Sequence, residues 1–148
     1  MTHPIQWQPF IDLIEKSSQV LITSHVRPDC DNLGSQLAML EMLETLGKFE
    51  PGKVRIVDPD HMPDRYLFID PDRRIEYLGD VEQEWIDTID LMIILDTSSW
   101  AQLREMGEIV KTTAAQVVVI DHHTVGDDLG AQLFCDVTAE ATGRLVVE

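Results

Sequence analysis

The sequence predicts a doubly wound α/β domain, with a mostly parallel sheet and helices on both faces. Three observations predict it. Residues 19–23, 90–95 and 116–120 are short, almost wholly apolar runs, the pattern of central strands covered on both sides. Stretches with apolar residues at helical spacing lie between them, so strands alternate with helices. Each of the three runs then meets Asp or His at its carboxyl end, where open α/β sheets collect their ligands.

Residues 7–17 read as an amphipathic helix, because Trp7, Phe10, Ile11 and Ile14 recur on one side. After the strand at 19–23, a helix is expected over 33–46, with Leu33, Leu37, Leu40, Met42 and Leu43 on its apolar face and Gly47 closing it. Pro51-Gly52 marks a turn before a strand at 53–57, which Asp58-Pro59 ends. Met62-Pro63-Asp64 opens a short helix through Tyr66, Leu67 and Phe68, stopped by Pro71. Residues 74–78 form a short strand and Gly79-Asp80 a turn. Beyond the strand at 90–95, Ser98 or Ser99 caps a helix that carries Leu103, Met106, Ile109 and Val110. The strand at 116–120 leads to a polar loop at 124–130, a strand at 131–135 and a helix from 138 to 148. Residues 1–148 thus make one domain. Leu145-Val146-Val147-Glu148 carries no cap and no Gly or Pro stop, so the helix is expected to continue in a longer chain.

The 148 residues suffice for one real core, and 44% hydrophobic with 26% charged residues is ordinary for a globular protein. The formal net charge of −16 excludes a broad basic surface for duplex DNA, which needs Lys and Arg to displace counterions. It leaves room for a nucleotide or a short oligonucleotide held through metal ions. No apolar run approaches the roughly 20 residues of a membrane span. Residues 1–6 carry no basic patch ahead of an apolar run. No membrane partner and a cytoplasmic location are therefore expected. Cys30 and Cys135 make neither a metal-knuckle spacing nor a disulfide framework.

The chemistry concentrates where the strands end. His25, Asp29 and Asp31 fall within seven residues after the first strand. Two carboxylates that close repel unless a cation or proton intervenes. Carboxylates with imidazole suit Mn²⁺, Mg²⁺, Zn²⁺ or Fe²⁺, and the lack of Cys ligands argues against structural zinc. Asp96, from a neighbouring strand, can bridge two ions. His122 and His123 are adjacent, so one is expected to ligate and the other to face substrate, with Asp121 orienting a histidine. Two ions about 3.5–4 Å apart would share a hydroxide and aim it at phosphorus. Leu33-Gly34-Ser35 is expected to open the next helix and offer free N–H groups to a phosphate. Arg27 and Arg104 are either phosphate contacts or solvated charges. Cys30 lies between two acids and reads as a small filler rather than a nucleophile. His3 and His61 read as surface residues without partners. The pattern points to metal-dependent phosphoester hydrolysis. The rival class is a non-catalytic metal- or nucleotide-binding domain of the same fold.

Ser24-His25-Val26-Arg27-Pro28-Asp29-Cys30-Asp31-Asn32-Leu33-Gly34-Ser35, Asp96-Thr97 and Asp121-His122-His123 together resemble the DHH phosphoesterase superfamily. Residues 136–142 are similar to the segment after the DHH motif in its nanoRNase/pAp phosphatase branch. The resemblance covers essentially the whole chain, as an N-terminal DHH domain without the C-terminal DHH-associated domain. It implies a site for two Mn²⁺, with Mg²⁺ the other candidate. His25, Asp29 and Asp96 would hold one ion. Asp31, Asp96 and His122 would hold the other, with Asp96 bridging. The resemblance further implies that His123, with Asp121, serves catalysis and that Gly34, Ser35 and Arg27 bind substrate. The implied substrates are short oligoribonucleotides and the 3′-phosphate of adenosine 3′,5′-bisphosphate. Pyrophosphate, cyclic dinucleotides and single-stranded DNA are the alternatives within the superfamily. Cys30 and Asn32 stand where the pattern often has Gly and Ala. A fourth motif, with another metal-binding Asp, is expected beyond residue 148. A short RNA or nucleotide is the expected partner, and an exposed apolar face on the last helix would favour a homodimer.

Overall fold

A computed structural model describes residues 5–148, so His3 lies outside the described residues. In chain order the elements are α1 (Gln8–Lys16), β1 (Val20–Thr23), α2 (Cys30–Thr45), β2 (Val54–Asp58), β3 (Ile75–Tyr77), α3 (Gln83–Ile86), β4 (Leu91–Leu95), α4 (Trp100–Leu103), α5 (Glu105–Thr112), β5 (Gln116–Asp121), β6 (Gln132–Cys135) and α6 (Thr142–Val147). The six strands form one sheet in the order β3-β2-β1-β4-β5-β6, and every neighbouring pair is parallel. The order reverses between β1 and β4. In doubly wound sheets that reversal opens a crevice at the carboxyl ends of the strands.

The strands are apolar throughout because both faces are covered. Along β4, Leu91, Ile93 and Leu95 join the core under α1, α2 and α6, while Met92 and Ile94 join the core under α4 and α5. On the first face, Phe10, Ile14, Met39, Leu43 and Leu145 pack on the sheet; on the second, Leu103, Met106 and Val110 do. Among the described residues no helix is long and apolar enough to cross a membrane.

Four expectations need correction. The second helix begins at Cys30 rather than 33, because Asp29 caps it by accepting the Asn32 N–H at 2.9 Å. The helix after β4 is broken at Arg104, whose φ of +47° is left-handed; Ser99 stands at its N-cap position, as one of the two expected, but its side chain does not cap the free N–H groups. Asp127 does so instead, accepting the Trp100 N–H at 2.8 Å from a loop 27 residues away. The last helix begins only at Thr142, because Asp136 closes a turn by accepting from both the N–H and the hydroxyl of Thr138. Its apolar face is mostly covered, with Leu145 and Val146 buried and Val147 exposed. Met42, expected in the core, instead lies 45% exposed beside Ile11 and Leu46, along a groove of about 600 Å³ between α1, α2 and α6.

Candidate metal centre

The segments after β1, β4 and β5 meet over the crevice. After β1 the chain turns at Arg27, φ +55°, and reaches the Asp29 cap. After β4 it turns at once, with Asp96 itself left-handed at φ +64°. Asp tolerates that region better than most residues, yet the conformation still costs on the order of 1 kcal/mol. What it achieves is placement. The Asp96 carboxylate is 3% exposed and stands between two imidazoles. Its Oδ2 is 3.3 Å from His25 Nε2, and its Oδ1 is 3.6 Å from His122 Nε2.

The tautomers of both rings follow from their other nitrogens. His25 Nδ1 lies 2.8 Å from the Val26 carbonyl, and His122 Nδ1 lies 3.1 Å from the Ala139 carbonyl. A carbonyl only accepts, so each Nδ1 carries the hydrogen. In the neutral rings each Nε2 then turns a lone pair toward carboxylate oxygens. Acceptors facing acceptors at 3.3–3.6 Å need a positive charge between them. At His25, without a metal, that charge is a proton. Burial alone would push the His25 pKa down, but the Asp96 carboxylate and the Val26 carbonyl outweigh it and hold His25 above its usual value. Asp29 completes this side, with ligand atoms of His25, Asp29 and Asp96 all within 4.8 Å of one another. On the other side Asp31 Oδ2 is 3.6 Å from His122 Nε2. The donor set of imidazole and carboxylate, with the tautomers already set, fits divalent cations on both sides of Asp96.

His123 is arranged differently. Its Nδ1 lies 4.0 Å from Asp96 Oδ1, but it is 2.6 Å from Asp121 Oδ1. That short bond takes up Nδ1 and leaves Nε2 on a ring 53% exposed. Asp121 is 1% exposed and accepts from the His122 and His123 N–H groups and from Ser98 Oγ. Its hydrogen bonds hold the His123 ring in place.

The profile of the DHH family, N-terminal domain, matches residues 19–148. The chain belongs to the DHH family. It is 23% identical, over 133 residues, to the bifunctional oligoribonuclease and PAP phosphatase NrnA of Bacillus subtilis, covering 87% of this chain and 37% of that protein. It is 25% identical, over 155 residues, to the cyclic-di-AMP phosphodiesterase GdpP of the same organism, covering 93% of this chain and 22% of that protein. An exopolyphosphatase-related protein from Bacteroides fragilis shares the fold, with a TM-score of 0.86 at 24% identity over 99% of this chain and 44% of that one. The chain thus spans less than half the length of each.

The DHH domain brings together His25, Asp29, Asp31, Asp96, His122, His123 and Asp121, all singled out from the sequence. It does not use Gly34 and Ser35 as expected. Because α2 begins at Cys30, the Leu33 N–H already bonds Asp29 O, and the N–H groups of 34 and 35 lie inside the helical ladder. Ser35 is buried and donates to Asn32 O. Arg27 is exposed, and its N–H bonds Asp60, which also pairs with Arg104 at 3.6 Å. Cys30 is exposed rather than a filler, and both cysteines are free. Burial and the nearby Asp121 carboxylate raise the Cys135 thiol pKa, keeping it a thiol. His61 is exposed but not without a partner, since its ring lies 3.9 Å from that of Tyr77.

Sequence reasoning missed three groups. Thr142 Oγ1 donates to Asp96 Oδ1 at 2.8 Å, and the N–H groups of Thr142 and Gly143 donate to the two oxygens of Asp31 at 2.9 Å each. A Cβ on Gly143 would already sit 3.4 Å from Asp31 Oδ1. The third group is Asp58, buried at the end of β2, which accepts from Ser24 N–H and from Gln36 Nε2. Its one signal was an acid at the end of an apolar strand, the same signal that marked Asp96.

Proposed function

We propose that this DHH domain belongs to a metal-dependent phosphoesterase that hydrolyses short oligoribonucleotides, 3′-phosphoadenosine 5′-phosphate or both, with two Mn²⁺. The observation that carries the reading is Asp96: one buried carboxylate, with an oxygen toward each of two imidazoles whose Nε2 atoms are free to bind. His25, Asp29 and Asp96 would hold one ion, and Asp31, Asp96 and His122 the other. Bound there, the pair supplies water activation and neutralises charge that develops on the phosphoryl oxygens. The chain's own residues do the rest. The hydrogen bonds from Thr142 and Gly143 stop Asp31 and Asp96 rotating away. His123 presents Nε2 toward an incoming phosphate, where it can hold a proton and deliver it to the leaving oxygen, while Asp121 steadies the charged ring. Arg27, exposed two residues beyond His25, is the proposed cation for the substrate's outer phosphate. NrnA supports the linear nucleotide substrates. GdpP, at comparable identity, supports cyclic dinucleotides as the second reading.

The test is Mn²⁺ stoichiometry of the 148-residue protein by calorimetry, followed by turnover of pAp, a diribonucleotide and cyclic di-AMP. Two ions and release of phosphate or mononucleotide from one of these are expected. A folded protein that takes up no Mn²⁺ overturns the reading. Hydrolysis of cyclic di-AMP alone moves it to the second substrate class.

A further inference from the structure

Beneath the His25 side of the site runs a buried chain of amides that ends on Asp58. Its direction is forced at each step. The His25 carbonyl can only accept, so Asn32 presents Nδ2 to it, at 3.0 Å. That turns Asn32 Oδ1 toward Gln36, which must answer with Nε2, at 3.0 Å. The second hydrogen of the same Nε2 goes to Asp58 Oδ2, at 2.9 Å. Asp58 Oδ1 takes the Ser24 N–H at 3.1 Å, and Ser24 Oγ donates to the Leu95 carbonyl at 2.5 Å, one residue before Asp96. Asn32, Gln36, Ser24 and Asp58 are all at most 2% exposed. With both hydrogens of Nε2 spent, Gln36 Oε1 is left buried with no partner among the described residues. A buried orphan acceptor costs on the order of 1–3 kcal/mol and is seldom kept without a reason. A fold that needed only to fill this space would do so better with an apolar residue.

We propose that Asp58 is a positioning residue for the metal centre, bracketing His25 by gripping Ser24 directly and the His25 carbonyl through Gln36 and Asn32. The residue before His25 and the carbonyl of His25 itself are thereby fixed, and the Val26 carbonyl that sets the ring's tautomer follows. The His122 ring has no part in this chain: its Nδ1 rests on Ala139, from the segment before α6. Asp58 therefore acts on one half of the site. The proposal rests on the metal-binding reading of His25 for its purpose, but the bracket itself can be read without metal.

Two variants test it. Gln36→Leu keeps the volume and removes both Nε2 bonds. Asp58→Asn keeps the shape but has one acceptor oxygen, so it cannot accept from both Ser24 N–H and Gln36 Nε2. Two readouts apply to each: Mn²⁺ affinity by calorimetry, and long-range ¹H–¹⁵N spectra of labelled histidines in the metal-free protein at pH about 9. The wild type should show His25 as a single Nδ1–H tautomer. In a folded variant, one of the two Mn²⁺ sites should weaken by about tenfold or more. His25 should lose its single tautomer while the His122 signals stay in place. General loosening would move both rings, which overturns the proposal, as does a folded variant with wild-type His25 signals and affinity. If one variant fails to fold, the other decides. If the wild type binds no Mn²⁺, the proposed function fails, and the histidine spectra still decide this proposal.

Discussion

His25 and His122 present the same face to the site, Nδ1 on a backbone carbonyl and Nε2 toward a carboxylate, and reach that state by different routes. The His25 half is local. His25, Asp29 and the Asn32 that braces them lie within eight residues, in one turn that α2 continues, and His25 is buried. The His122 half is assembled across the chain. Asp31 takes its hydrogen bonds from α6, 111 and 112 residues away, and His122 remains partly exposed. The lesson is that most of the His25 half comes from one turn, which Asp96 and Asp58 complete from the neighbouring strands, while the His122 half exists only once α6 has docked on α2.

Variants can separate the halves. Asp96 serves both, so Asp96→Asn should remove both Mn²⁺ sites and cut hydrolysis by about 10³-fold or more, the scale set by losing charge stabilisation at a reacting centre. The variant should keep its fold by circular dichroism. Near-wild-type turnover would end the bridging role.

Asp58 tests the buried half through pH. Burial pushes its pKa up to about 7, against the hydrogen bonds from Gln36 and Ser24, which pull it down. An acid whose folded pKa lies above its unfolded value of about 3.8 stabilises the protonated folded state. In the metal-free protein, stability should therefore fall as pH rises from about 4 to about 7 and stay flat above, by an amount on the order of a few kcal/mol. The raised His25 pKa adds a decline of the same sign, starting near 6.5. Asp58→Asn, which cannot ionise, should flatten the lower window in urea titrations at several pH values. A slope unchanged from wild type would mean that Asp58 is already ionised at low pH.

Gly143→Val should strike only the assembled half. A branched side chain cannot fit 3.4 Å from Asp31 Oδ1 without pushing that carboxylate aside. We expect the His122-side ion to bind some 10–100-fold more weakly and the His25-side ion to be unaffected, as read by Mn²⁺ calorimetry. Equal weakening of both would show that the halves are coupled more tightly than their contacts indicate. The smallest effect is Thr142→Val, which removes one hydrogen bond to the buried Asp96 carboxylate. Metal-free stability should fall by about 1.5 kcal/mol, a Tm lower by roughly 3–6 °C in differential scanning calorimetry.

The local half was the legible one. A polar turn after an apolar strand, with an imidazole and two acids in seven residues, is visible as a pattern because its parts are neighbours in the chain. The sheet was legible for a related reason: strands covered on both faces must be apolar along their length, so 90–95 and 116–120 stood out. The start of α2 was misplaced because Cys30, Asp31 and Asn32 look like turn residues until Asp29 is seen to cap them. That error carried Gly34 and Ser35 into a phosphate-binding role that their place inside the helix does not allow. Thr142 and Gly143 look unremarkable in sequence, since a threonine and a glycine declare nothing until a carboxylate arrives from another helix.

By itself the sequence determined the fold class, the strands, the family and the residues whose side chains can bind a cation. Those properties depend on periodicity and residue type, which are local. The tertiary structure alone decided that Asp96 stands between two rings, that Asp31 is held by α6, and that Asp58 braces the turn from below. Each of these is a distance between segments 26 to 112 residues apart, the shortest from Asp96 to His122, or the geometry of a left-handed turn. Such distances are set by how the helices pack across the sheet, and no stretch of sequence encodes them alone.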